Sequence, residues 1–94
     1  MYSHGVESVL HQIQSVYPVG DNHLILEFDA GEYRVVSVTP FLRGPMFEPL
    51  KDPEFFRQVT VELGTVSWPN GADLDPDVLY ANSTPLVLPG KAQA

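Results

Sequence analysis

Three kinds of side chain in this sequence could carry chemistry. Carboxylates crowd in Asp73-Leu74-Asp75-Pro76-Asp77, spaced like the opening of a calcium loop. Such a loop also needs glycine at its sixth position and a bidentate glutamate at its twelfth. Val78 and Thr84 occupy those places, and Pro76 stiffens the middle. The triplet therefore reads as a helix start, with Asp75 as the cap and Asp77 near the positive terminus. His4, His11 and His23 are potential metal ligands. If a hairpin pairs Pro18 with His23, His11 lies ~24 Å along the neighbouring strand, too far for one coordination sphere. Surface histidines, with no metal and no cofactor, are the expectation. Glu27, Glu32, Glu48 and Glu54 could supply an acid–base pair, but nothing in the pattern brings two of them into a water-excluded site. Ser67 and Ser83 lack the G-x-S-x-G setting of an activated nucleophile, and Gly64 and Gly71 are isolated turn glycines. No catalytic residues are expected.

Trp68-Pro69-Asn70-Gly71-Ala72-Asp73 reads first as structure. Trp68 would pack in the core, Pro69 would stop a strand, and Asn70-Gly71 would turn the chain. Asp73 is the residue this explains least. The functional reading makes Trp68, Asn70, Asp73 and Tyr80 an interaction loop, a polar group beside aromatic anchors.

The elements that would position these residues are short. Gln12–Pro18 and His23–Asp29 flank Val19-Gly20-Asp21-Asn22, a hairpin with Leu24, Leu26 and Phe28 on one face. A turn at Ala30-Gly31 would set Phe28 against Tyr33, Leu26 against Val35 and Glu27 against Arg34. A slip of one residue would oppose Leu26 and Arg34, so the first register is expected, with a glycine bulge at Gly31 able to shift the turn locally. Val59–Glu62 and Thr65–Trp68 flank Leu63-Gly64 and place Val61 opposite Val66 and Val59 opposite Trp68. Thr39-Pro40, Asp52-Pro53 and Asp75-Pro76 each resemble a cap followed by proline in the first helical turn. Helices this short need docking through Phe55, Phe56, Leu79 and Tyr80. The spacing of Val6, Val9, Leu10 and Ile13 suits a helix, the alternation from Gln12 a strand, so residues 6–10 stay open. A single domain over 1–94 is expected, ordered over about 12–82 and loose at 1–5 and 83–94.

The 94 residues carry twelve acids against five Lys and Arg, a formal charge of -7. That disfavours nucleic acid, whose binding draws on Lys and Arg neutralising phosphates, and also an anionic membrane surface. No apolar run is long enough to span a bilayer, the first residues do not resemble a signal peptide, and there is no cysteine. A soluble cytoplasmic protein is expected.

Read in order, the residues resemble a bacterial family known as domain of unknown function 2442. The resemblance covers about residues 12–80. It rests on the apolar run into Pro18, on Leu24 through Arg34, on Phe47-Glu48-Pro49-Leu50 leading into Asp52-Pro53-Glu54-Phe55-Phe56, and above all on Val66 through Tyr80. It implies an α+β fold, a small antiparallel sheet of hairpins with two or three short helices, and no established activity. Some relatives carry a helix-turn-helix segment, which implies a regulatory setting. Others are encoded beside small toxin-like proteins, which implies a protein partner. This chain ends soon after Tyr80, so no helix-turn-helix is expected. The resulting expectation is a non-enzymatic protein-binding domain, an acidic partner or neutralising subunit of a small basic protein. The alternatives are a regulatory or ligand-sensing domain and an unrecognised small enzyme. A protein partner, a second copy of the chain included, is expected, with no direct nucleic-acid contact.

Overall fold

The computed structural model describes residues 11–86. Four strands form the larger sheet: β1 (Ile13–Val19), β2 (His23–Phe28), β3 (Tyr33–Ser37) and β7 (Thr84–Pro85), antiparallel in the order β1-β2-β3-β7. Three strands form a second sheet in the order β4 (Thr60–Glu62), β5 (Thr65–Ser67) and β6 (Asp73–Leu74). Two short helices complete the fold, α1 (Pro53–Phe56) and α2 (Pro76–Ala81), with a 3-10 segment at Pro45–Lys51. This is an α+β architecture of small antiparallel sheets. No helix among the described residues is long and apolar enough to cross a membrane.

Alternation builds the core. Leu24, Leu26, Phe28 and Val36 point to the inner face of the larger sheet and are buried. Trp68, Phe56, Val66, Leu50, Leu74 and Leu79 meet them from the second sheet and the helices. In β1 the register shifts between Ile13 and Ser15, so Gln14 is the extra residue of a bulge. The bulge turns Ile13 inward opposite Phe28 and leaves Gln14 exposed. The outer face keeps no covering layer of its own among the described residues. It carries the row Tyr17, Ile25, Val35 and Thr84, in which Tyr17 is exposed and Ile25 and Val35 are half-buried.

The β4–β5 hairpin has the expected register, Val61 against Val66 and Glu62 against Thr65. Both turn residues take positive φ, +53° at Leu63 and +77° at Gly64. That pair of angles matches the right-handed strand twist. The β2–β3 register differs from expectation. Leu26 opposes Arg34, Leu24 opposes Val36 and Glu27 opposes Tyr33. The turn is three residues long, Asp29-Ala30-Gly31, with Ala30 at φ 74° and Gly31 at φ 79°, closed by the Phe28 N–H donating to the Glu32 carbonyl at 2.7 Å. The longer turn moves every later residue by one and sends Arg34 to the inner face. Pairing apolar with apolar was the wrong criterion there, because Arg34 finds charge and aromatic partners inward.

Asp52 caps α1, accepting the Glu54 N–H, whereas Asp75 begins α2 without a side-chain cap bond. Thr39 lies inside its 3-10 turn, which Val38 precedes. Beyond Asn82, where no pattern was expected, Thr84–Pro85 adds to β3 and the Leu86 N–H donates to the Tyr33 carbonyl. Residues 6–10 lie outside the described residues.

Candidate functional site

The densest polar constellation gathers where α2 crosses the inner end of β2 and β3. Tyr80 stands at its centre. The His11 imidazole stacks on the Tyr80 ring with centroids 3.9 Å apart and planes 14° apart. The Arg34 guanidinium lies 4.1 Å from the ring centroid. Two planar groups at those heights cannot share one face, so they sandwich the ring from opposite sides. Phe28 meets Tyr80 edge-on at 5.0 Å and forms the floor.

Hydrogen bonds tie the sandwich together. The Tyr80 hydroxyl donates to the Glu32 carboxylate at 2.9 Å, and Arg34 Nη1 donates to the same carboxylate at 2.6 Å. Arg34 Nε donates to Ser83 Oγ at 2.6 Å, and Ser83 Oγ donates to the Tyr80 carbonyl at 2.7 Å. Asp77, one helical turn before Tyr80, accepts the His11 backbone N–H at 2.9 Å and faces His11 Nδ1 at 2.8 Å. These partners set the local acidities. Arg34, then Tyr80, hold the Glu32 carboxyl below its ordinary value. The His11 side chain, then its backbone N–H, do the same for Asp77. The Glu32 carboxylate pushes the Tyr80 phenol up.

The arrangement docks α2 and the segment before β1 onto the sheet. Its polar atoms satisfy one another, which suits positioning rather than turnover. The sequence assigned Arg34 to Glu27 outside the sheet and His11 to open surface. What it did contain was the Asp77/Tyr80 spacing on one helix face, without any sign of what would meet it.

The expected interaction loop divides. Trp68 is buried and its Nε1 donates to the Phe56 carbonyl at 2.9 Å. Asn70 accepts the Ala72 N–H and donates to the Met46 carbonyl, which pins the loop to the 3-10 segment. Asp73 is exposed on β6 beside Ser67, on a shallow groove that Thr60, Glu62 and Trp68 also line. Tyr80 belongs instead to the α2 sandwich. Asp73, Asp75 and Asp77 diverge in the same way, to β6, to the start of α2 and to His11. His23 sits at the far end of β2 from His11, against the Asp21 carbonyl. Among the described residues no group of three His, Cys, Asp or Glu could hold a metal ion.

A second concavity, of about 180 Å³, lies between the β1–β2 turn and α1. Gly20, Asp21 and Asn22 line it from the turn, and Lys51, Phe56 and Arg57 line it from α1 and the residues beside it.

Comparison with known proteins finds no curated relative. Among solved structures, the fold is similar to the crystal structure of the "Putative DNA Binding Protein" from Nitrosomonas europaea. The two share 29% identity at a TM-score of 0.67, over 78% of this chain and 48% of that one. The present chain thus spans about half the length of that neighbour. The neighbour overturns the expectation of no direct nucleic-acid contact. Total charge misled because it averages over the molecule. Three of the five basic residues, Arg43, Lys51 and Arg57, fall in a stretch where they are matched by Glu48, Asp52 and Glu54, so residues 43–57 are neutral in a chain of -7. The model of the family described as "Protein of unknown function (DUF2442)" matches residues 13–85, and the chain belongs to that family.

Proposed function

We propose that this chain is a regulatory domain of a DNA-associated protein and that it acts by binding rather than by catalysis. The observation that carries the reading is the match of its fold to about half of a protein named for DNA binding. The α2 sandwich supports it, because its acids, hydroxyl and guanidinium are spent on one another instead of converging on an open cleft. The test is crosslinking of the tagged full chain to DNA in its own host, followed by sequencing of the recovered fragments. Enrichment of discrete sites is the expected result. Recovery at the level of an untagged strain would overturn the reading.

A second reading, an acidic subunit for a small basic protein, is favoured by the outer face around Tyr17, Ile25 and Val35, which no other element among the described residues covers, together with the charge of -7. Charge would steer such an association and salt would weaken it. A stoichiometric basic protein that co-purifies at low salt and is lost at high salt is the result this reading requires.

A further inference from the structure

The groove between the β1–β2 turn and α1 brings together two of the chain's five Lys and Arg side chains. Lys51 and Arg57 both line it, and both side chains are exposed. Arg57 has no side-chain hydrogen bond or ion pair among the described residues. Lys51 pairs with Glu48 at 3.2 Å, an exposed contact that a competing anion can displace. Pro18 and Pro53 fix the walls, and Phe56, buried to 2% exposure, cannot swing into the space. One carboxylate, Asp21, lines the groove from the turn.

We infer that this groove binds the phosphoryl group of a nucleotide, free or within a nucleic-acid backbone. Two cations lining one groove suit a phosphoryl anion, Arg57 by a forked pair of N–H donors and Lys51 as a point charge. Asp21 repels a bare anion. It becomes an asset only when the ligand also carries a donor, such as a sugar hydroxyl, within reach of its carboxylate. A mononucleotide has both groups on one small frame. Inorganic phosphate and sulfate have only the first, and so does an internal phosphate of DNA, whose deoxyribose keeps no free hydroxyl. A duplex would therefore be held by the two cations alone. The space is open and shallow, which admits the phosphoryl group and its sugar but does not enclose a base. The inference deepens the regulatory reading by naming a ligand class, and it rests on that reading only for the nucleic-acid source of the phosphate.

The test is an NMR titration of the isotopically labelled full chain with adenosine monophosphate, with inorganic phosphate and with a mixed-sequence DNA duplex, all at one ionic strength. The expected result is a saturable change confined to the amides of Gly20–Asn22 and Lys51–Arg57, with adenosine monophosphate binding more tightly than phosphate. Arg57→Ala and Lys51→Ala each weaken it by about fivefold, the scale of one exposed charged contact. Arg57→Lys keeps part of the affinity, and Asp21→Asn narrows the preference for the nucleotide over phosphate. Both cations are exposed, and the amide spectrum of each variant shows directly that it is folded. Saturation by the mononucleotide alone assigns a free ligand, and saturation by the duplex assigns the backbone. No change with any probe, changes centred elsewhere, or unaltered affinity in the double Lys51/Arg57 variant would overturn the inference. A duplex that binds through other amides removes the groove and leaves the DNA-associated reading standing. A groove that takes the mononucleotide in a protein recovered with no DNA does the reverse.

Discussion

Tyr80 shows how one side chain can organise a helix too short to stand alone. α2 has six residues, well below the length at which a helix is stable in water. Its ring fills the space between a cation and an imidazole, and its hydroxyl reaches a carboxylate that the same cation already holds. The acid dependence of stability follows. Glu32 and Asp77 lie below their ordinary values of 4.5 and 3.8, so the unfolded chain binds more protons in that range. The stability they contribute is present above those ordinary values and is lost as pH falls through the depressed ones. His11→Ala returns Asp77 toward 3.8, lowers stability at neutral pH and flattens the acid limb. Urea midpoints measured from neutral to acidic pH check this; an acid limb as steep as that of the parent would show that the pair is not linked to folding. Trp68 makes the opposite kind of contact, one buried neutral bond. Trp68→Phe keeps most of the packing but leaves the Phe56 carbonyl without its donor, at a cost of about 1–3 kcal/mol by urea unfolding.

At the scale of elements, the β4–β5 turn sets a wrong residue in the right geometry. Leu63 is fully exposed at φ +53°, where a branched side chain is strained and gains nothing by burial. Leu63→Asn supplies the residue that such turns favour and stabilises the hairpin by about 1 kcal/mol. Gly64→Ala does the reverse. Its φ is +77°, and an added Cβ would stand 3.3 Å from the Gln12 side chain, so a loss of about 1–2 kcal/mol is expected. Thermal midpoints of the two variants, moving in opposite directions, check both. This hairpin was legible because alternation, turn and polarity all agreed. The strands of the first hairpin were legible for the same reason, and so was the proline-marked start of α1. The first turn, however, is one residue shorter than expected, so Pro18 pairs with Leu24 and Val19 with His23. The β2–β3 register was not. Pairing rules weigh only the two strands, and the decisive partners of Arg34 come from α2 and Ser83, forty and more residues away. The Tyr80 sandwich was hidden for the same reason. Its members read singly as a surface histidine, a helix-start acid and an outward arginine. β6 and β7 are two residues each, too short for any period to show.

For the whole molecule, the distribution of charge matters more than its sum. A chain of -7 repels polyanions at long range, yet three of its five basic side chains fall in a stretch whose acids only balance them. A contact made by Lys51 and Arg57 alone neutralises two phosphates, so the logarithm of duplex affinity should fall with the logarithm of salt at a slope of about -2. Fluorescence anisotropy across a salt series measures that slope, and a much steeper one would place further cations in the contact. The clasp at α2 has a mechanical consequence too. His11, at the entry to the fold, and Ser83, just before its last strand, are both bonded to groups that grip the same tyrosine. A pull on the chain from before His11 therefore reaches that ring directly, whereas a pull from after the fold meets the β7–β3 bonds first and reaches the ring through Ser83 only once they part.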